Sequence, residues 1–407
     1  MRVTHLSLSN FRNYESAEVG LAPGVNVIVG ENGQGKTNLV EAVAYFSSLS
    51  SHRVSSDVAL IRAGTESAVA RMRIAVAERE ALLEIQLNRS QPNRGQINRN
   101  LAKPRDLTRW FSSVVFAPED LSLVRGEPAT RRRFLDEALV ARHPPLSGVI
   151  ADYERVVKQR NSLLKSARIT GRKDAVEATL SVWDEQLIEL GSRIMFGRRA
   201  LVRKLLPHLV SNYRALVRAD HLPSLTLLES AAPRAQGVNV SRETLAIPHE
   251  LEVANERSVS RETIAAEFAE SLASVRQGEL DRGVTMVGPH RDDLHLSLNS
   301  LPVRGYASHG ESWSFALSLR LSLAALLRAE SPVGDPVIIL DDVFAELDAR
   351  RRSRLMEAVG DFEQVLVTAA VEEDLPSGVR GRRIHIVSGQ VAQITDGRLN
   401  EGELSEH

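Results

Sequence analysis

The 407-residue chain contains no cysteine. Disulfides, thiolate zinc sites and cysteine nucleophiles are therefore excluded together. Aromatic residues are scarce, at 4%, which argues against an extended platform for stacking single-stranded bases. No apolar run approaches the roughly 18–20 residues that cross a bilayer. The start, Met1-Arg-Val-Thr-His5, alternates like a strand and lacks the basic and apolar regions of a signal peptide, so a cytoplasmic location is expected. Nor is one charge in surplus: 51 basic side chains stand against 52 acidic ones, for a net charge of −1. Nucleic-acid binders often have a basic total, so the balance leaves DNA open as a partner and shifts the question to local clusters.

What is present suits two lobes, or one domain carrying a large insertion. Val3–Leu8 alternates apolar and polar residues, and Val25–Val29 is a β-branched run between Gly24 and Gly30. From Lys36 to about Leu49 the spacing turns helical, with Leu39, Val43 and Phe46 on one face. Ala68–Val76 and Leu82–Leu87 are predicted strands with a hairpin near Asn93-Arg-Gly95, and Val114–Phe116 is a further short strand. From about Pro128 to Val217 helix follows helix, broken at Pro144-Pro145 and Thr170-Gly171. The polar stretch 230–262 holds Ser-Arg-Glu-Thr twice, at 241 and at 260, and the second copy is predicted to cap a helix over Ile264–Val275. Leu294–Leu298, Pro336–Asp341 and Val365–Thr368 are predicted strands, and Gly310–Arg328 a helix. Strand–helix alternation at both ends of a helical middle predicts an α/β domain with an insertion. The expected division is a head made of residues 1–125 and 281–407, with a helical arm at 126–280.

Gly30-Glu-Asn-Gly-Gln-Gly-Lys-Thr37 fits the pattern G-x-x-x-x-G-K-[ST] in full. Gly30, Gly33 and Gly35 let backbone N–H groups converge on phosphate oxygens, with Glu31, Asn32 and Gln34 between them. Lys36 is suited to the β and γ phosphates of ATP and Thr37 to Mg²⁺. The bland alternative is a glycine-rich turn before an amphipathic helix. Its position between a predicted strand and a predicted helix favours the nucleotide. Val337-Ile-Ile-Leu-Asp-Asp342 supplies a complement: a buried strand that delivers Asp341 for the metal and Asp342 for the attacking water. Ser308-His-Gly-Glu311 begins a predicted helix and fits either an anion site or a plain helix cap.

In order, the chain shows Phe11-Arg-Asn-Tyr14, the glycine-rich loop, a long insertion, Ser308-His-Gly-Glu311 and Leu340-Asp-Asp-Val-Phe-Ala-Glu-Leu-Asp348. This order resembles the ABC-type heads of the SMC superfamily: a P-loop NTPase head with a β-rich lobe and an inserted helical arm. Within it the chain resembles the RecF family of bacterial recombination mediators. The likeness rests also on Val115-Phe-Ala-Pro-Glu-Asp-Leu121, Gly126-Glu-Pro-Ala-Thr-Arg-Arg-Arg-Phe-Leu-Asp136 and Val287-Gly-Pro-His-Arg-Asp-Asp-Leu294. It implies that Arg12 and Asn38 join the loop around ATP, and that Ser308, Gly310, Glu311 and Asp348 of one copy meet the nucleotide of another. Thr368 stands where many such heads carry a sensor histidine. Asp342 replaces the usual glutamate and Glu311 the usual signature glutamine; Glu119 or Asp120 is the nearest substitute for the Q-loop glutamine. These departures imply a slow, switch-like ATPase. The resemblance further implies an ATP-dependent homodimer on gapped or junction DNA, beside the nucleoid. Its setting would be recombinational repair, fork maintenance and the SOS response, with RecR and RecO proteins as partners.

The candidate phosphate contacts are Arg131, Arg132, Arg133, Arg198 and Arg199, with Lys158, Arg160 and Lys165 as a further group. Each cluster taken alone more often describes a solvated helix face, by about two to one. His290-Arg-Asp-Asp293 invites a metal or acid–base reading, against the simpler one of a salt-bridged loop. A helicase or nuclease would need motor motifs or a second carboxylate site, and neither is found. A transporter ATPase subunit would lack such a helical insertion, and a long-armed SMC protein would need greater length and a cysteine hook.

Overall fold

The computed structural model describes residues 1–54, 56–171, 177–231, 259–331 and 334–396. The Ser-Arg-Glu-Thr copy at 241 lies outside them. The chain divides into two compact units: Met1–Asp120 with Asn212–Arg218 and Ala316–His407, and Leu121–Ser211 with Ala219–Phe315.

The first unit is built on two six-stranded sheets, among the described residues. One is antiparallel, in the order β2-β1-β4-β5-β6-β7. Its strands are β1 (Arg2–Phe11), β2 (Tyr14–Gly20), β4 (Ser67–Val76), β5 (Arg79–Asn88), β6 (Arg94–Ile97) and β7 (Asn100–Ala102). Strand β5 buries Ala81, Leu83, Ile85 and Leu87 and turns the intervening residues outward, the period of two that a half-covered sheet requires. The other sheet runs β15-β14-β3-β13-β12-β8. It comprises β3 (Gly24–Val29), β8 (Ser113–Phe116), β12 (Val337–Asp341), β13 (Gln364–Ala369), β14 (Arg382–Val387) and β15 (Gln390–Asp396). All its pairs are parallel except the edge strand β15. Every residue of β12 and β13 is buried, as a parallel sheet covered on both faces demands.

Helix α1 (Lys36–Ser48) packs on strands of both sheets, and one apolar cluster runs from Val3 and Met72 through Val43 and Phe46 to Ile339 and Leu366. Gln364 stitches the sheets together. Its buried amide accepts from the Val3 N–H (2.7 Å) and donates to the Val3 carbonyl (2.8 Å), replacing a strand partner for β1. A short helix α2 (Pro104–Leu107) follows β7.

The second unit is mostly helical. Its helices are α3 (Leu121–Arg125), α4 (Pro128–Arg142), α5 (Leu146–Thr170) and most of α6 (Glu177–Val217), then α7 (Arg261–Ser274), α8 (Arg276–Arg282), α9 (Val303–Tyr306) and the start of α10 (His309–Glu330). Helix α11 (Ala349–Val359) belongs to the first unit. As expected, Pro144-Pro145 separates α4 from α5, Gly171 ends α5 in the left-handed region (φ 67°), and the Ser260 side chain caps α7 by accepting from the Thr263 N–H. The hairpin expected near Asn93-Arg-Gly95 is the β5–β6 connection, where the Asn93 side chain accepts from the Asn88 N–H (3.1 Å); a second, tighter turn follows at Asn98-Arg99, where both residues adopt positive φ without glycine. Two differences from the sequence reading have physical causes. Residues 281–315 join the second unit rather than the head, because β10 (Asp293–Leu298) pairs with β9 (Ser224–Leu228) there. Strands β14 and β15 went unread because β15 is largely exposed and carries no clean alternation.

Charge is taken inside this unit. Arg160 is fully buried and donates to Asp184 (2.8 Å), Glu279 (2.6 Å) and Thr285 (2.9 Å). The His290–Asp293 loop is held likewise. Asp293 takes a bidentate pair from Arg131, and buried Asp292 accepts from the Ser230 N–H and lies 3.6 Å from Arg198. Burial pushes the Asp292 carboxyl up to about 7 and the His290 imidazole down to about 4. Among the described residues no cluster of three His, Asp or Glu side chains is placed to hold a metal. The loop is thus a brace. Removing one partner from such a network strands the others, so Arg160→Met should lower unfolding free energy by about 3–5 kcal/mol in denaturant titration. A triple change that also makes Asp184 and Glu279 apolar should recover much of that loss.

Candidate nucleotide site

The glycine-rich loop leaves β3 and enters α1 at Gly35, whose φ of 115° and close surroundings both require glycine. A Cβ there would stand 2.7 Å from the Asn13 amide nitrogen and 2.9 Å from the Tyr14 hydroxyl. These two residues hold the loop from the β1–β2 turn. Asn13 donates to the Gln34 carbonyl (3.1 Å) and accepts from Asn38 (2.8 Å), while Tyr14 donates to the Gly35 carbonyl (3.0 Å). From the opposite side the β14–β15 turn reaches Gln34: the Gly389 N–H donates to its carbonyl (3.1 Å) and the Ser388 N–H to its side chain. Lys36 folds back over the loop, its ammonium 2.6 Å from the Gly30 carbonyl and 3.0 Å from that of Glu31. Burial pushes its pKa down, opposed by the carboxylates of Asp342, Asp341 and Asp374.

Asp341 ends β12 and is the hub. One carboxylate oxygen accepts from the Thr37 hydroxyl (3.0 Å) and from the Thr368 hydroxyl (2.8 Å). Thr368 in turn accepts from the Asp342 N–H (2.9 Å). Helix α1 and strands β12 and β13 thereby meet at one carboxylate. The structure thus brings Thr37, Asp341, Asp342 and Thr368 together. It also brings His52, which sequence reasoning missed: its Nε2 lies 3.5 Å from the other Asp341 oxygen, buried and without a hydrogen bond. Asp342 has a left-handed backbone (φ 54°) at the strand end. Burial first, and then the neighbouring Asp341 carboxylate, push its pKa up.

Arg12 also has positive φ (55°), and its guanidinium grips buried Glu41 of α1 through two bonds, with a third to the Ala59 carbonyl. It fixes α1 to the β1–β2 turn. Asp120 has a structural task as well, accepting from the Ala117 N–H and from Arg320, whereas Glu119 is exposed. Asp348 caps α11 by accepting from the Arg351 N–H.

Ser308, Gly310 and Glu311 belong to the second unit. Ser308 and Glu311 form a reciprocal capping box: the Glu311 N–H donates to the Ser308 hydroxyl (3.2 Å), and the Ser308 N–H to the Glu311 carboxylate (2.8 Å). Glu311 is thus committed to its own helix start. The serine oxygen is used as an acceptor, which leaves its O–H to donate.

The basic clusters are corrected by the structure. Arg131 and Arg198 are buried and paired with Asp293 and Asp136, and Arg199 is paired with Glu229 and Glu267. Arg132 donates to the Asp292 carbonyl. Of the five, Arg133 alone is exposed. Burying a guanidinium requires a carboxylate partner, and the sequence placed those partners far away in the chain, where adjacency could not reveal them.

A relative from Clavibacter michiganensis subsp. michiganensis, described as DNA replication and repair protein RecF, is 52% identical over 402 residues, with 96% of each chain covered. The RecF/RecN/SMC N terminal domain family model matches residues 2–392. The chain belongs to the RecF family. The solved structure of the recombination mediator protein RecF in the RecFOR pathway, as RecF-ATPrS, aligns with a TM-score of 0.82 at 27% identity, over 96% of this chain and 97% of that one. An SMC head bound to the C-winged helix domain of ScpA aligns at 0.52 with 13% identity, over 98% of each chain, a likeness of fold alone. The fold expected of an ABC/SMC-type head is therefore the one found. No helix among the described residues is long and apolar enough to cross a membrane.

In this family member the bracing of the loop by Asn13 should matter to ligand binding before it matters to folding. Asn13→Ala removes two hydrogen bonds, each contributing about 1 kcal/mol. Nucleotide affinity measured by calorimetry should fall roughly 5–30-fold.

Proposed function

We propose that this chain is an ATP-gated DNA-binding protein of recombinational repair, in which ATP and Mg²⁺ close two copies head to head. The observation that carries this reading is the joint engagement of Thr37 and Thr368 by Asp341 directly beneath the glycine-rich loop. The RecF-ATPrS relative supports ATP as the nucleotide. Residues 30–38 would cradle the phosphates through their N–H groups, with Lys36 swinging from loop carbonyls to phosphate oxygens. Arg12 stands beside them and holds α1 through Glu41.

The Thr37 hydroxyl and the Asp341 carboxylate are adjacent hard oxygen donors. They fit a magnesium ion, which takes one or two protein ligands and fills its remaining places with water and phosphate. When bound, that ion would offset charge developing on the transferred phosphate. Asp342 would orient and deprotonate the attacking water. Its raised pKa makes it a stronger base but leaves less of it ionised, which suits slow turnover. The Ser308 hydroxyl and Gly310 of one copy would cap the γ-phosphate held by the other, with Glu311 keeping that serine in place and Asp348 lining the junction. ATP then acts chiefly as a dimer switch. The closed pair would hold DNA at gaps or junctions, and hydrolysis would release it. RecR and RecO proteins, the other members of the RecFOR pathway to which that relative belongs, are the expected partners, in the cytoplasm at the nucleoid.

Sedimentation with and without ATP and DNA tests the core of this reading. A dimer should form only with ATP, and Ser308→Arg should bind nucleotide as a monomer yet fail to dimerise; dimers of that variant would overturn trans capping. Asp342→Asn should lengthen the ATP-bound dimer's life. It should also abolish the acidic limb of the hydrolysis rate, since in the native protein that rate should climb with pH as the carboxyl ionises. A shorter-lived dimer would remove Asp342 from the mechanism.

A further inference from the structure

Between Arg89 and Trp110 the chain carries six basic side chains and one carboxylate, Asp106, although its total charge is −1. The segment holds β6, β7 and α2 at one edge of the antiparallel sheet. Arg89 is occupied by the backbone carbonyls of Thr65, Ile61 and Arg62. The other five cations, Arg94, Arg99, Lys103, Arg105 and Arg109, are exposed. None of them is engaged by a carboxylate among the described residues. This is the reverse of the buried, paired arginines of the second unit.

The hairpin has a second unusual property. Ile97 pairs with Asn100, so the connection is the two residues Asn98 (φ 51°) and Arg99 (φ 67°). Such turns favour asparagine first and glycine second. Asn98 anchors the turn, its side chain accepting from the Leu82 N–H (2.8 Å) and its own N–H donating to the Leu82 carbonyl (2.8 Å). Arg99 sits where glycine would be cheaper by about 1 kcal/mol, and its exposed side chain gives the fold nothing in return. Strain of this kind persists where a side chain serves something other than stability.

We propose that this edge hairpin and α2 form a contact surface for the phosphate backbone of double-stranded DNA; the proposal rests on the reading of the chain as an ATP-gated DNA binder. Unpaired cations on a near-neutral chain supply counterion release. Gln96 and Asn100 beside them supply neutral donors for phosphate oxygens. The surface has only Leu101 (83% exposed) and Trp110 (42% exposed) as large apolar groups. That is too little for the apolar centre of a protein interface and for serial base stacking.

The test uses the full chain with saturating ATP and a labelled duplex, with affinity followed against salt concentration. The triple variant Arg99→Gly, Lys103→Gln, Arg109→Gln should bind about 10- to 100-fold more weakly at moderate salt. Its slope of log affinity against log salt should be shallower by about 3, near 0.9 per lost phosphate contact. Arg99→Gly alone should keep or raise the thermal midpoint while making the slope shallower by about 1, which separates contact from folding. Unchanged slopes in both variants overturn the surface, including the case in which the variants lose an acidic protein partner instead. If the native chain itself shows no ATP-dependent retention of duplex, the parent reading fails; if it does and the variants match it, only this surface fails.

Discussion

One carboxylate oxygen of Asp341 accepts two hydroxyl hydrogens, from Thr37 and from Thr368. The bond joins the first turn of α1 to the ends of β12 and β13, three elements far apart in sequence. A buried carboxylate is expensive unless its lone pairs are satisfied, so this position imposes conditions on its neighbours. A hydroxyl is needed at 37, which the glycine-rich motif supplies. Another is needed at 368, which Thr368 supplies at the end of β13. The same Thr368 also receives the Asp342 N–H, which fixes the left-handed kink that lifts the second carboxylate away from the sheet.

Legibility in the sequence tracked the range over which the controlling physics acts. Runs such as Val25–Val29 and Val337–Leu340 declare themselves because a strand buried on both faces must be continuously apolar. Gly35 and Lys36 are legible because phosphate binding needs a fixed local spacing. The braces around the loop are not. Asn13 and Tyr14 stand in the Phe11–Tyr14 landmark and Gln34 in the glycine-rich motif, but neither pattern shows their partnership with each other or with Ser388, which exists only after the strands have aligned. Reading Ser308-His-Gly-Glu311 needed both of its interpretations. The structure gives it a capping box, and the same geometry leaves a serine O–H to donate.

Arginine is where local reading failed most plainly. Arg131, Arg198 and Arg199 stand in basic runs, yet each meets a carboxylate 30 or more positions away. A run of like charge in sequence is therefore no guide to surface potential when the fold imports counter-charges. The edge hairpin shows the converse. Its cations are spaced by neutral residues and attract no attention as a cluster, yet the turn at Asn98-Arg99 gathers them at one edge.

The glycine-rich loop is gripped by two turns far apart in the chain, and Gln34 and Ser388 are separated by 354 positions. Strand β3 likewise waits for β13 and β14 as neighbours. A ribosome makes Asn13 and Tyr14 before the loop, but β13, β14 and Ser388 long after it. Contacts of such separation must pay for closing nearly the whole chain before they form. The glycine-rich segment therefore lacks those later neighbours until they have been synthesised. On the nascent polypeptide the loop takes its braced shape only once those strands have emerged, so an early fragment holds the motif without its geometry.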